Sequence, residues 1–307
     1  MRALHLSGTE LTLLDRPFVP RPDEERVRVT LAGVCATDIE LQRGYMGFSG
    51  VPGHEFVGVI EGGARDGERV VGEINCPCGT CACCRRGRGN HCGTRTVLGI
   101  LGRDGAFAEY LSLPTANLHS VPDGVPDASA VFVEPLAAAC RILEQIHIGP
   151  GTSVIVLGLG RLGQLCARVL ALTGATVVGV GRRNRALLPA GIPSTDSPYE
   201  LDPADVVVDC TGSPTGLALA TKLTRPQGTI VLKTTVHDAL PVTPTPWVID
   251  ELTVIGSRCG PFAPALRLLA AGLVDPRPLI SELTRLSPDV IARAAQPGVV
   301  KVLVEPG

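Results

Sequence analysis

The chain has 307 residues, 45% hydrophobic and 19% charged, which is enough apolar material for two packed cores and too much for a disordered chain. Its formal net charge of −2 excludes a strongly basic face for nucleic acid or for an anionic membrane surface. No stretch reaches the roughly 18 uninterrupted apolar residues of a membrane span, and the N-terminal MRALHLSGTELTLLD lacks a leader pattern, so a cytoplasmic protein is expected.

In chain order, the first 120 residues carry short Val-rich runs such as Val27–Thr30 and Val57–Ile60 between Gly and Pro turns, the texture of an irregular β domain. Within it lie Gly33-Val34-Cys35-Ala36-Thr37-Asp38 and Gly53-His54-Glu55. Each is ordinary alone. Cys35 reads equally as a buried apolar residue, His54 as a core histidine, and Thr37-Asp38-Ile39-Glu40 as a helix capping box.

Seven of the eleven cysteines, at 35, 76, 78, 81, 83, 84 and 92, fall in this first part. Four of them, Cys78, Cys81, Cys84 and Cys92, form C-x2-C-x2-C-x7-C. Four neighbouring thiols in one short loop suit a tetrahedral zinc ion, and a closed shell of thiolates gives that ion a structural role. Cys76 and Cys83 are spare members of the cluster. The adjacent Arg85-Arg86-Gly87-Arg88 would suit nucleic acid, but this charge is local and the rest of the chain is not basic.

From Val133 the pattern changes to alternating helices (Glu134–Ile146, Leu162–Thr173) and buried strands (Ser153–Leu157, Thr176–Val180, Asp205–Asp209, Thr229–Leu232, Val254–Gly256), which predicts parallel βαβ units. Gly158-Leu159-Gly160-Arg161-Leu162-Gly163 joins the first strand to a helix and matches G-x-G-x-x-G, the loop that seats a dinucleotide pyrophosphate on a helix N-terminus. Thr211, just beyond a later strand, joins this cofactor set. An NAD site places a carboxylate at the end of the second strand. Here that place holds Gly181-Arg182-Arg183, with room for a 2′-phosphate and two guanidiniums to pair with it. NADP(H) is therefore expected over NAD(H), although both arginines also fit a solvated loop.

G-V-C-x-T-D, G-H-E-F-V-G, the cysteine lobe, Glu134-Pro135-Leu136-Ala137 and the Gly-rich loop follow one another in this order. In this the chain resembles the zinc-containing medium-chain alcohol dehydrogenase family over nearly its whole length, particularly the sorbitol, glucose and threonine dehydrogenase branch. The resemblance implies an α/β fold in which a GroES-like β-barrel catalytic domain, residues 1–134 completed by 258–307, flanks a doubly wound Rossmann domain of residues 135–257. It also implies two zinc ions per chain. The catalytic one would be held by Cys35 and His54, with Glu55 and Glu134 binding directly or through water. Thr37 would move a proton and Asp38 would hold the His54 ring. Lys301 and Lys233 read either as lysines that approach the cofactor phosphates or as surface lysines.

The implied function is hydride transfer between NADP(H) and an alcohol, polyol or sugar hydroxyl, on a small-molecule substrate, in a dimer or tetramer. Two departures stand out: Glu40 occupies a position where many relatives carry histidine, and the stretch 184–204 is too brief for the usual helix pair. They leave open a zinc-stabilised NADP(H)-binding protein without turnover, such as a redox sensor or an assembly partner.

Overall fold

The computed structural model describes residues 1–234 and 242–307. It divides into two units, Met1–Glu134 with Phe262–Gly307, and Pro135–Pro261.

The first unit is built on a sheet of seven strands among the described residues. Its order is Ile280–Arg285, Lys301–Glu305, Glu24–Gly33, Glu55–Ile60, Arg69–Gly72 and Leu118–Ser120, with Tyr110–Pro114 paired to the other end of Glu24–Gly33. The centre of this sheet is Val- and Leu-rich, and Val27, Val57, Ile60, Val70, Leu113, Val302 and Val304 have no exposed surface. β-branched side chains fit a pleated, buried surface well. The register is what matters for the site. Gly33 lies opposite Glu55 on one side and opposite Leu303 on the other, so the ends of three strands from distant parts of the chain meet at one place.

Among the described residues, the second unit holds a six-stranded parallel sheet: β1 Ser153–Leu157, β2 Thr176–Val180, β3 Ser194–Thr195, β4 Ala204–Asp209, β5 Thr224–Leu232 and β6 Thr253–Gly256. Their spatial order is 3-2-1-4-5-6. This is the doubly wound Rossmann order, in which the strand order reverses between β1 and β4, the place where such folds open a ligand crevice at the strands' carboxyl ends. Covered on both faces, β1 reads as an unbroken apolar run, and Val154, Ile155, Val156 and Leu157 are all buried. The helix Arg161–Ala171 packs Leu165, Cys166, Ala167, Val169 and Leu170 inward. No helix among the described residues is long and apolar enough to cross a membrane.

Candidate active site

Cys35 and the pair His54-Glu55 are brought together by strand pairing. Cys35 follows the end of Glu24–Gly33, and Glu55 begins the antiparallel partner strand. The sulfur of Cys35, a ring nitrogen of His54 and a carboxylate oxygen of Glu55 all lie within 4.8 Å of one another. His54 and Glu55 are buried and Cys35 is half-buried. At Gly33 an added Cβ would stand 2.6 Å from a Glu55 oxygen, so only glycine leaves room for this carboxylate. Gly53, at φ +94, turns the chain into His54, and there a Cβ would meet the Phe107 ring at 2.7 Å.

Asp38 organises the cluster. Its Oδ2 accepts the Cys35 N–H at 2.8 Å and its Oδ1 accepts the Gly53 N–H at 3.2 Å, fixing the backbone beside both donor residues. The same Oδ1 lies 3.4 Å from His54 Nδ1, at the outer edge of hydrogen bonding, and Nδ1 is otherwise a buried polar atom without a partner. The capping box of the helix Ala36–Gln42 is therefore Cys35 with Asp38, not Thr37 with Glu40. Glu40 instead pairs with Arg43 at 2.8 Å. Thr37 is half-buried, its hydroxyl 3.8 Å from the Cys35 sulfur.

The charges here favour a cation. Burial alone would push the His54 imidazole down, yet the Asp38 carboxylate and then Cys35 outweigh it and raise its proton affinity well above the ordinary value. One soft sulfur, one imidazole and one carboxylate, gathered in a site that attracts positive charge, fit a zinc ion and do not close its coordination shell.

Glu134 lies in the first turn of the helix Val133–Gln145, outside the Cys35-His54-Glu55 group. One expectation needs correction. Lys301 does not reach for phosphates. Its ammonium is buried beside Glu55, hydrogen-bonded to that carboxylate and to Val34 O at 3.3 Å, and 5.4 Å from the centroid of the Phe132 ring. A buried carboxylate needs a counter-charge, and the closing strand delivers one. Lys233 is likewise held, by Ala138 O and by Ser257 Oγ at 2.9 Å.

In the cysteine lobe, the sulfurs of Cys78, Cys81, Cys84 and Cys92 are separated by 3.4–3.9 Å along four edges. Sulfurs about 2.3 Å from a tetrahedral ion stand about 3.8 Å apart, so the lobe fits zinc as it is. Hydrogen bonds from Thr80, then from the Cys81 backbone, draw the Cys78 thiol down to about 5. Burial and the neighbouring Cys81 and Cys92 push Cys84 up to about 12. Four thiolates together thus require a cation. Cys83 stands outside the group and Cys76 is buried near Ile74 O.

In the second unit, the three glycines after β1 do three different things. Gly158, at φ +86, turns the chain where a Cβ would lie 2.7 Å from Cys210 O. Gly160 caps the helix and faces open space, with nothing within 4 Å of an added Cβ. At Gly163 a Cβ would fall 1.8 Å from Gly158 O, so the helix can approach the turn only without one. Arg161 and Leu162 open the helix half-buried, while Leu159 is buried under Gly179 and Gly181.

Thr211 follows β4, its N–H and hydroxyl both donating to Asp209 Oδ1, at 2.9 and 2.7 Å. Asp209, which sequence reasoning passed over, is buried and also accepts the Thr234 hydroxyl at 3.0 Å, tying the turn after β4 to the residues that follow β5. Its only sequence signal was an acid ending an apolar strand. Gly181 follows the last residue of β2, and Arg182 and Arg183 beyond it are exposed.

Residues 21–123 match the alcohol dehydrogenase GroES-like domain. The L-galactonate-5-dehydrogenase of Escherichia coli (strain K12) is 30% identical over 83% of each chain. The sorbitol dehydrogenase of Halalkalibacterium halodurans is 30% identical over 94% of this chain and 93% of its own. Among solved structures, a zinc-binding dehydrogenase of Sinorhizobium meliloti 1021 bound to NADP superposes with a TM-score of 0.89, at 30% identity and 99% coverage of both chains. The E. coli CFT073 alcohol dehydrogenase RspB, complexed with NADH, gives 0.89 at 28% identity and 99% coverage of both. With the GroES-like domain, the Rossmann sheet and both cysteine-bearing clusters in place, the chain belongs to the zinc-containing medium-chain alcohol dehydrogenase family.

Proposed function

We propose that this chain is an NADP(H)-linked zinc oxidoreductase that interconverts a secondary or primary hydroxyl of an alcohol, polyol or sugar with the matching carbonyl. The observation that carries the reading is the convergence of Cys35, His54 and Glu55 ligand atoms within 4.8 Å, in a set that leaves coordination open. Cys35 and His54 would hold the ion, with Nε2 the ring nitrogen left to ligate because Nδ1 faces Asp38. A zinc ion bound there supplies Lewis acidity toward the substrate oxygen. The chain's own part is to fix the ligands through Asp38, to anchor Glu55 through Lys301, and to carry the hydroxyl proton away through Thr37. A bound nicotinamide would accept the hydride from the substrate carbon and Thr37 would take the proton from its oxygen, which accounts for the electron pair and both hydrogens.

Relatives solved with NADH and with NADP do not decide the cofactor, so the choice rests on this chain's Gly181-Arg182-Arg183. Two exposed guanidiniums and no carboxylate favour a 2′-phosphate. Glu134 stays in the reading as an acid near the ion acting through water, and assembly as a dimer or tetramer belongs to it as well. All eleven cysteines are free, which suits the reducing cytoplasm.

The test is metal analysis together with a nicotinamide-absorbance screen of alcohols, polyols and sugars. The expected result is about two zinc ions per chain and NADP-linked turnover that Cys35→Ser abolishes while NADPH still binds. Unchanged turnover in Cys35→Ser overturns the assigned centre, and about one zinc with no turnover supports a cofactor-binding protein instead.

A further inference from the structure

Among the described residues, the chain between β2 and β3 contains no α-helix, only the 3-10 turn Arg185–Leu187. A helix there would satisfy its own carbonyls. Two carbonyls of this segment accept side chains of the helix Arg161–Ala171, and one of them, Asn184 O, also accepts the Leu187 N–H of the turn at 3.1 Å. Gln164 Nε2 donates to Asn184 O at 2.7 Å, and Arg168 Nη2 donates to Leu187 O at 2.6 Å. The two side chains are also joined to each other, Arg168 Nη1 donating to Gln164 Oε1 at 2.7 Å and to Gln164 O at 3.0 Å.

Gln164 is 0% exposed and Arg168 7%, a depth at which neither residue type is common. Their i, i+4 spacing places both on one face of the helix, aimed at the same segment. A fully bonded buried network of this kind rigidifies what it holds. What it holds begins with Asn184, in the left-handed region at φ 62, immediately after Arg182 and Arg183.

We propose that Gln164 and Arg168 form a buried clamp that sets the position of the Arg182-Arg183 turn and thereby the preference for NADP(H) over NAD(H). The proposal rests on the assignment of these arginines to the 2′-phosphate. Both are positioning residues, acting through the turn. An exposed pair of guanidiniums on a free loop loses ordering entropy each time it grips a phosphate, and a loop already held in place loses less. NADH has no 2′-phosphate and does not draw on this pre-organisation.

The 307-residue protein is titrated with NADPH and with NADH, following nicotinamide fluorescence, as wild type, Arg168→Met, Arg168→Lys and Gln164→Glu. Arg168→Met is expected to weaken NADPH about tenfold and to leave NADH within about twofold. Arg168→Lys recovers part of the loss, because its ammonium still reaches one carbonyl. Gln164→Glu keeps the bond from Arg168 but loses the donor to Asn184 O, and shifts the ratio in the same direction. Should Arg168→Met fail to fold, the two conservative variants carry the same ratio. Equal weakening of both cofactors, or an undiminished NADPH preference, overturns the clamp. A wild-type preference for NADH overturns the 2′-phosphate assignment itself, which is visible before any variant is made.

Discussion

The ammonium of Lys301 is hydrogen-bonded to the carboxylate of Glu55 at a depth where each side chain is 1% exposed. Removing one member of such a pair strands the other in a low-dielectric site. Lys301→Met is expected to destabilise the protein by about 3–5 kcal/mol, with Lys301→Met/Glu55→Gln recovering most of it. Urea unfolding at fixed zinc measures both. A loss below about 0.5 kcal/mol in the single variant would mean that Glu55 does not depend on this cation.

Glu24 and Arg103 form a second buried pair, bidentate at 2.7 and 2.8 Å, with side chains 9% and 5% exposed. Burial alone would push the Glu24 carboxyl up, but the Arg103 guanidinium and the Ser112 hydroxyl outweigh it and hold it below its ordinary 4.5. A depressed carboxylate contributes its stability above the ordinary value and loses it as pH falls through the lower folded value. Glu24→Gln should therefore cost about 3–5 kcal/mol at pH 7, a difference that shrinks once pH drops below 4.5. Urea midpoints of both proteins across pH 7 to about 3 test this, and a constant difference rejects it.

How far the sequence was legible depended on whether the signal was local. β1 and β2 begin and end where their apolar runs do, because strands covered on both faces have no polar alternation to blur the ends. The glycine loop was legible for the same reason, since turn, open approach and close packing each demand glycine at one spacing. The helix start was misread because a thiol is not among the usual N-cap groups, so Thr37 attracted an assignment that belongs to Cys35. Lys301 was misread because its partner is 246 residues away and no spacing rule spans that distance. β3, at two residues, has no periodicity to detect. Gln164 and Arg168 look like the polar face of an amphipathic helix until the loop beyond β2 is seen folded over them.

The lobe makes a ligand-by-ligand prediction. Cys84→Ser should lower the zinc content from about two to about one per chain, while Cys83→Ser, its neighbour in the same short helix but outside the sulfur cluster, should leave it unchanged. Mass-spectrometric metal analysis of both variants decides it. Loss of zinc from Cys83→Ser would reassign the shell.

Gly160 and Gly163 should separate binding from folding. A methyl group at Gly160 meets no protein atom, and the backbone there, φ −85 and ψ −160, suits alanine. Gly160→Ala should keep its stability within about 1 kcal/mol but weaken NADPH and NADH alike by about tenfold, because the methyl occupies the pyrophosphate's approach. Gly163→Ala, 1.8 Å from Gly158 O, should instead cost about 1–3 kcal/mol in unfolding measurements. Normal dinucleotide affinity in Gly160→Ala would place the pyrophosphate elsewhere.

Gly181→Asp tests which cofactor the end of β2 reads. The new carboxylate would accept the ribose hydroxyls of NADH and repel a 2′-phosphate, while Arg182 and Arg183 remain. The substitution is tight, since its Cβ would lie 3.1 Å from Leu159 Cβ and Cγ, so Leu159 must shift by a few tenths of an ångström and the melting temperature should fall slightly. The ratio of NADPH to NADH affinity is expected to drop about 100-fold. NADPH affinity of the wild type should also fall as salt is added, because exposed guanidiniums are screened. Should Gly181→Asp still prefer NADPH, its phosphate is recognised by groups other than this turn, and Arg182 and Arg183 return to being solvated charges.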